Sequence, residues 1–461
     1  MKKFITHFIA DYIEQKRYQD FPIEVIKKAK ECILDSIGCM LAGSKTREGR
    51  ILQKSLLFHE KGISSILGFS RKTAFFNAIF INSTLVNILD FDDCYIGHPG
   101  ATIIPPAINF AELMELTGKE LITAIIIAYE VSIRLGLGLR PIGERKYILG
   151  HGTWQVFGSA SIAAKLLNLN CSKITNAFGI AGANAPLPSV MKTTYGLEGP
   201  TMAKNNFGTA ALVGAQSGFL AKNRFTGPKD IFDDENGFWR MIGCKKNNLD
   251  STLMQNSEKE FKILDVNFKM YPCCRLTHSA IDTIKEYFLK NNIELKNVEK
   301  ILVKSLSPLS KPPFTNMKPR DANEGRFSLP YALACVLYKI NPLEWYIKKN
   351  INDSQLLDFS EKVMIEKNER ADEIFKKDPK EILSTVIVIQ KNKKEDKTQK
   401  IIKNEKTEPT MQEGALLEKF LQLSGKCFKD ERKAKMLAES IMELDKVKNT
   451  KEWLSNFQFL K

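Results

Sequence analysis

The stretch LITAIIIAYEVSIRLGLGL, residues 121–139, is typical of a helix buried in a protein core. Its apolar residues recur at intervals of three and four, for example Ile122, Ile125 and Ile126, which is the spacing of one face of an α-helix. A helix that crosses a bilayer needs about 20 largely uncharged residues, whereas this stretch contains Glu130 and Arg134. We therefore predict a core helix, and similar spacing predicts helices through most of the first 240 residues.

Small residues are frequent where the next predicted helices would cross. Small side chains let two helix backbones approach closely, because the distance between helix axes depends on the residues at the contact. This half of the chain therefore indicates a tightly packed, all-helical domain. The small residues are Gly158, Ser159, Ala160, Ala163 and Ala164, followed by Ala210, Ala211, Gly214, Ser217 and Gly218.

The pattern changes near residues 256–261. Two later runs, residues 300–305 and 384–390, are alternating or rich in β-branched residues, which is typical of strands. Helical spacing accompanies them and returns afterwards, so the second part of the chain mixes both element types. The predicted helices are 279–290, 329–337, 415–423 and 431–444, with a lysine-rich loop or hairpin at 391–403.

The predicted fold class is mainly α with an inserted α+β domain, that is, a large all-helical domain plus a smaller α+β lid domain. Its parts are a first helical segment at 1–257, the lid domain at 258–404, and C-terminal helices at 405–461 that rejoin the helical domain. The two crossings between them would be hinge-like connections. A cleft between the domains could then open and close around a ligand.

Composition and charge pattern indicate which kinds of molecule this protein binds. The net charge is +15, but the 68 Lys and Arg are spread along the chain among 53 acidic residues. This pattern favours a solvated lysine-rich surface with a modest pull on anionic substrates, and we expect neither a nucleic-acid nor a membrane partner. Nine cysteines without a CxxC pair, and an N-terminus without a signal-length apolar core, favour reduced thiols and a cytoplasmic location.

The sequence DFDDCYIGH, residues 90–98, places three carboxylates and a histidine within nine positions. Pro99 and Gly100 follow, so His98 is predicted on a loop at a helix end. An imidazole titrates near pH 6.5 and responds to nearby carboxylates, which makes proton transfer at neutral pH the favoured interpretation. A capping and turn cluster, or a divalent-cation site without the calcium-loop pattern, are the alternatives. The carboxylates are Asp90, Asp92 and Asp93.

His151 is a second candidate for proton transfer. It lies in GHGTW, residues 150–154, immediately before a helix predicted over 155–167. The positive end of a helix disfavours an imidazolium, so a neutral ring is expected there. The alternative is an N-cap that only closes the turn.

Cationic candidates lie around one proline turn in FKMYPCCRLTH, residues 268–278. Arg275 could bind a carboxylate through two parallel hydrogen bonds and Lys269 as a point charge, with His278 nearby. Ordinary surface cations are the alternative. Lys204 in MAKNNFG, residues 202–208, offers a further cation.

Tyr331, in FSLPY at 327–331, could donate a hydroxyl, although a tyrosine that starts an apolar helix is more often a core residue. The sequence contains no glycine-rich phosphate loop, serine nucleophile elbow or dinucleotide fingerprint. We therefore expect no cofactor, and no metal, since a ligand set with metal spacing is lacking.

Together these segments resemble the MmgE/PrpD family, whose members include 2-methylcitrate dehydratase, cis-aconitate decarboxylase and iminodisuccinate epimerase. No single motif is decisive, but the ordered set is specific and covers nearly the whole chain. The segments are 34–38 (LDSIG), 90–99, 129–131 (YEV), 150–151, 224–228 (RFTGP), 269–278, 327–331 and 414–420.

The resemblance implies a cofactor-independent lyase, a dehydratase or decarboxylase, that acts on a small di- or tricarboxylate and is usually a homodimer. It implies a cleft between the helical domain and the lid, and it matches Asp90, His98, His151, Lys269 and Tyr331 to pocket residues. In this reading either histidine carries the proton, Asp90 orients or tunes it, and Tyr331 is an auxiliary donor. The residues expected to bind substrate are Lys204, Arg275, Cys94 and His278, with Lys269 also binding a carboxylate.

Two positions depart from the decarboxylase-like members. Cys94 stands where they have threonine, and Leu212 stands where they have a pocket lysine, for which Lys204 is a loose substitute. These departures leave three alternatives open. The chain could be an epimerase of a dicarboxylate such as iminodisuccinate, a catalytically silent ligand-binding member of the fold, or a metal-dependent hydratase.

Overall fold

The computed structural model describes residues 4–56, 62–139, 149–187, 189–244, 249, 259–391, 414–428 and 430–457. The chain divides into two units, each assembled from separate segments. The first unit comprises Met1–Met191, Ala203–Phe268 and Glu413–Lys461, and the second comprises Lys192–Met202 and Lys269–Gln412.

Counted over the described residues, eleven helices precede Lys269, and all of them except the end of α9 lie in the first unit. Four of them, α5, α6, α7 and α10 in the list below, make most of the packing contacts. Where α10 crosses α7, a Cβ added at Gly218 would lie only 2.4 Å from the Ala163 side chain, so this crossing requires a glycine. The helices are α1 Ile5–Gln15, α2 Ile23–Ser44, α3 Arg47–Leu56, α4 Phe75–Asn87, α5 Pro99–Met114, α6 Gly118–Leu139, α7 Gly152–Leu166, α8 Cys171–Ala183, α9 Val190–Thr193, which runs into the second unit, α10 Phe207–Lys222 and α11 Phe238–Met241.

Two details of this unit bear on the sequence predictions. Helix α6 is long and apolar enough to cross a membrane by length and composition, but 94% of the qualifying window is buried inside the protein, which confirms the predicted core helix. The unit is not wholly helical, because strands β1 (Ser64–Ser65) and β2 (Lys72–Thr73) form a short antiparallel pair. Such two-residue strands carry no recognisable sequence periodicity.

The second unit is built around a three-stranded sheet in the order β4-β3-β5. Strand β3 pairs in parallel with β4 and antiparallel with β5, and its inward residues Ile301 and Val303 are fully buried. Two strands were predicted and are confirmed, whereas β4 was missed because three of its five residues are exposed at the sheet edge. The elements are β3 Val298–Ser305, β4 Val363–Lys367, β5 Thr385–Gln390, α12 His278–Asn291, α13 Ala322–Gly325, α14 Leu329–Leu337, α15 Lys348–Ile351, α16 Ser354–Ser360 and α17 Glu369–Lys377.

The observed division differs from the predicted one at two places. Residues 260–268 stay with the first unit, where the Ile263 N–H donates to Glu130 Oε1 at 2.9 Å. Lys192–Met202, predicted within the helical domain, groups with the second unit. There Arg320 donates to the Glu198 carbonyl at 3.1 Å. The predicted boundary at 404/405 and the predicted loop beyond Lys391 lie outside the described residues.

The C-terminal helices belong to the first unit and bring a buried lysine into it. The Lys419 ammonium, on the first of these helices, donates to Asp35 Oδ1 at 2.5 Å and to the Phe91 carbonyl at 2.6 Å. Burial is the largest single influence and disfavours the charge of Lys419, but the surrounding acidic groups, chiefly the Asp35 carboxylate, together raise the pKa of the ammonium. The helices are α18 Ala415–Ser424, α19 Glu431–Met442 and α20 Thr450–Ser455.

We predict that Lys419→Met lowers the free energy of unfolding by about 3–5 kcal/mol, because it leaves the Asp35 carboxylate buried without its cation. Chemical denaturation measures the change. Adding Asp35→Leu should recover part of the loss, since both charges are then removed. Lys435→Met, at an exposed ion pair with Glu431, is the control and should leave the transition unchanged; an equal loss in both variants would contradict the prediction.

Candidate active site

The loop between α4 and α5 is held in an uncommon backbone conformation. Asp90, Ile96 and Gly97 have φ values of 52°, 51° and 118°, in the left-handed region that residues other than glycine rarely adopt. His98 takes the N-cap position of α5, and Pro99 begins the helix. Proline suits a first helical turn because its fixed φ matches the helix and no amide donor is needed there. The loop therefore ends with a histidine on a rigid helix start.

The His98 ring is oriented by Asp92. Its Nδ1 lies 3.1 Å from Asp92 Oδ2, and Asn87 Nδ2 donates to Asp92 Oδ1 at 2.9 Å. A buried carboxylate is the strongest acceptor in this group, so it favours the tautomer with the proton on Nδ1. Nε2 is then the nitrogen that can exchange a proton with a substrate. This arrangement of a carboxylate, an imidazole and a reacting proton is typical of general acid–base sites.

A buried ion pair lies on the Nε2 side of the ring. Asp90 Oδ1 is 3.8 Å from His98 Nε2, and Asp90 Oδ2 is 3.2 Å from the Lys204 ammonium. Asp90 and Lys204 are 2% and 8% exposed, so this positive charge lies in a largely desolvated environment. Lys204 was predicted to be only a loose substitute for a lysine at Leu212; the structure places its ammonium on Asp90, the carboxylate that also lies near His98 Nε2.

His151 and Phe207 complete the surroundings of His98. The His98 ring centroid lies 5.7 Å from that of His151 and 5.5 Å from that of Phe207. His151 takes the N-cap position of α7, and its ring also lies against Trp154. Four of the predicted site residues, Asp90, His98, His151 and Lys204, are thus brought together within the first unit.

Cys94 is held through its backbone. Its N–H donates to the Asn267 carbonyl at 2.8 Å, and the Asn267 N–H donates back at 3.1 Å. The residue is 7% exposed. This bridge fixes the loop that carries Asp90 and Asp92 against the segment that follows residue 260.

Four predicted site residues lie in the second unit. Lys269 is buried there, and Arg275 begins a short 3-10 turn. His278 Nε2 lies 3.3 Å from the Cys273 carbonyl, a contact that closes the proline turn. The Tyr331 hydroxyl donates to the Trp345 carbonyl at 2.5 Å in the core of this unit, which favours the core-packing interpretation of Tyr331 over the predicted auxiliary donor.

Sequence reasoning did not assign the residues that support His98. Asp92 was recognised as part of the acidic cluster, but Asp90 was expected to orient the imidazole. Asn87 and Phe207 carried no signal, because an amide at the end of a helix and an aromatic at the start of another are ordinary features. The three-dimensional course of the loop, which includes left-handed residues, places Asp92 and not Asp90 at Nδ1.

Asp90, Asp92 and His98 also offer one donor atom each within 4.8 Å of one another, as a divalent cation would require. Carboxylate and imidazole donors suit several such ions. The Lys204 ammonium beside Asp90 opposes this use, because it already supplies a positive charge at the same carboxylate.

Comparison with known proteins identifies relatives along the whole chain. The model of the MmgE/PrpD N-terminal domain matches residues 7–249, and that of the MmgE/PrpD C-terminal domain matches residues 271–444. Cis-aconitate decarboxylase from Aspergillus terreus is 23% identical over 478 aligned positions, which cover 97% of this chain and 94% of that protein. Cis-aconitate decarboxylase from Homo sapiens is 27% identical over 296 positions, covering 61% and 59%.

These relatives are lyases, and together with the family match they support a decarboxylase or dehydratase. The two domain models together match well over half of the 461 residues. The chain belongs to the MmgE/PrpD family.

Proposed function

We propose that this protein is a cofactor-independent lyase that decarboxylates cis-aconitate or a closely similar small tricarboxylate. The observation that carries the proposal is the His98 imidazole, held by Asp92 at Nδ1 and facing the Asp90–Lys204 pair at Nε2. Relatives named cis-aconitate decarboxylase support the choice of substrate.

The chemistry requires one proton donor and a positive charge. When the bond to the departing carboxylate breaks, carbon dioxide leaves and its bonding electron pair remains on the substrate as carbanion character. A general acid must protonate that carbon, and we assign this step to the Nε2–H of His98, whose ring is held at Nδ1 by Asp92. A cation in a desolvated site stabilises the developing negative charge, and Lys204 supplies it.

The remaining predicted residues have narrower roles in this proposal. His151 lies beside the His98 ring at the start of α7, where the positive end of the helix disfavours an imidazolium. Lys269 and Arg275 stay predicted ligands of substrate carboxylates. The homodimer and the cytoplasmic location also stay predictions of the sequence analysis.

The alternatives predict different products. A catalytically silent member is disfavoured by the intact set of Asp90, Asp92, His98 and Lys204. Proton NMR in heavy water with cis-aconitate, citrate, methylcitrate and iminodisuccinate separates the rest. Solvent deuterium on carbon together with released carbon dioxide supports decarboxylation, whereas a new double bond with released water indicates a dehydratase, and deuterium without a change of skeleton indicates an epimerase.

We predict that His98→Asn lowers turnover by about 100-fold or more, the usual contribution of a general acid or base. The rate of carbon dioxide release from cis-aconitate measures the effect. His7→Asn, in α1 away from the loop, is the matched control and should keep the parental rate. If both variants turn over like the parent, His98 does not transfer the proton.

We predict that Lys204→Met lowers kcat/KM by about 100-fold, because a charge-assisted contact to a developing anion contributes about 3 kcal/mol. Lys204→Arg should recover part of the activity, since the positive charge is kept while its shape changes. Steady-state kinetics with both variants tests this. An unchanged kcat/KM in Lys204→Met would remove the lysine from the mechanism.

We predict that activity survives exhaustive chelation, because Lys204 already provides the charge that a cation at Asp90, Asp92 and His98 would bring. Assays with and without EDTA, together with metal analysis of the purified protein, test this. Loss of turnover on chelation that one divalent cation restores would establish the metal-dependent hydratase or decarboxylase instead.

A further inference from the structure

The Asp93 carboxylate connects the site loop to two helices. Asp93 is completely buried. Its Oδ1 accepts the Gly100 N–H at 3.0 Å, in the first turn of α5, and its Oδ2 accepts the Tyr129 hydroxyl at 2.5 Å, from α6. The mechanism above does not use this residue.

Asp92 and Asp93 therefore fasten the loop to the start of α5 at two adjacent points. Asp92 binds the ring of His98, and Asp93 binds the backbone of Gly100 two residues further on. Ile96, which lies between the two aspartates and α5, is β-branched and has a left-handed backbone. Such a conformation costs about 1–3 kcal/mol and persists only when the surroundings enforce it. The two aspartates provide such enforcement.

The contact at Gly100 leaves no room for adjustment. A Cβ added there would lie 2.7 Å from Asp93 Oδ1, 2.7 Å from Ser36 Oγ and 2.9 Å from the Tyr129 hydroxyl oxygen. Three polar groups from different elements thus converge on one backbone position. Gly100 lies in the first turn of α5, where His98 is the N-cap.

We propose that Asp93 is a positioning residue for proton transfer by His98: through Gly100 and Tyr129 it fixes the first turn of α5 and so keeps the imidazole on Asp92. The kinetic part of this inference rests on the proposed function. The geometric part, the hydrogen bond from His98 Nδ1 to Asp92, can be observed without any substrate.

The chemistry of Asp93 suggests a conservative variant. Burial, followed by the nearby charge of Asp35, raises the pKa of Asp93 to about 8, and in the protonated form the Asp93 O–H donates to the Tyr129 oxygen instead of accepting its hydroxyl. An asparagine has almost the same shape as a neutral aspartic acid. In Asp93→Asn the amide oxygen can still accept the Gly100 N–H, while the amide nitrogen can donate to the Tyr129 oxygen.

Glu112 provides a matched control in the same unit. It is also buried, and it accepts hydrogen bonds from the Ser65 N–H at 2.7 Å and from Lys72 at 2.9 Å, at the β1 strand. The experiment compares Asp93→Asn, Asp93→Leu and Tyr129→Phe with Glu112→Gln and Glu112→Leu. Rates are expressed per folded protein, as determined by circular dichroism and thermal melting.

The kinetic expectation separates positioning from stability. Asp93→Leu loses two buried hydrogen bonds and should lower kcat about 10- to 100-fold while KM changes less than about threefold. Asp93→Asn should stay within about threefold of the parent, and Tyr129→Phe, which keeps the ring, should lose about 3- to 10-fold. Both Glu112 variants should melt at lower temperature but keep the parental kcat.

The second measurement is NMR of protein labelled with [15N]histidine. The chain has five histidines, and the signal that disappears in His98→Asn identifies the Nδ1–H of His98. This signal should persist in Asp93→Asn and in Glu112→Leu, and should be lost by exchange or shifted upfield in Asp93→Leu. If Asp93→Leu does not fold, Tyr129→Phe takes its place with a smaller shift.

Two results would overturn the proposal. One is an Asp93→Leu or Tyr129→Phe variant with parental kcat and an unchanged His98 signal. The other is an equal loss of kcat in Asp93→Leu and Glu112→Leu, which would show that Asp93 only stabilises the unit. If the parent does not act on any carboxylate tested, the proposed function fails, and the NMR comparison alone then decides the role of Asp93.

Discussion

The structure around the site depends on neutralising or pairing four carboxylates that are almost completely buried close together. A buried carboxylate is costly unless it is paired, hydrogen-bonded or protonated. Asp35 is paired with the Lys419 ammonium of α18, and Asp90 with the Lys204 ammonium just before α10. Asp92 contacts the His98 imidazole at the start of α5, and Asp93 is hydrogen-bonded to the Tyr129 hydroxyl of α6. The helices that pack around the loop therefore also supply the groups that pair with these carboxylates. The four residues are Asp35, Asp90, Asp92 and Asp93.

The same constraint explains why so short a loop can hold a proton carrier in place. Asp90, Asp92 and Asp93 lie within four positions of each other, yet their side chains contact Lys204, His98 and the backbone of Gly100 respectively. Left-handed residues at both ends of the loop make these separate directions possible. Strained backbone of this kind is common where a side chain must be fixed for chemistry rather than for packing.

Local patterns were enough to predict most elements and to mark the loop of the candidate site. Apolar spacing predicted the core helix α6, β-branched runs predicted β3 and β5, and the clustering of acids with His98 marked the loop. Pairings were not predictable, because they join residues far apart in the chain: Lys204 beside Asp90 and Lys419 on Asp35 are separated by more than one hundred positions. The resemblance implied a donor role for Tyr331, and a sequence cannot show that its hydroxyl donates to the Trp345 carbonyl.

The grouping of Lys192–Met202 with the second unit makes that unit discontinuous in the gene as well as in the chain. A fragment that encodes only residues 269–412 lacks the Glu198 carbonyl bound by Arg320 and the Tyr195 ring that packs near Phe314. Replacing only residues 269–412 with the corresponding segment of a relative would therefore exchange only part of the unit. A chimera must take both pieces from the same parent, and recombination anywhere between them separates residues that fold together.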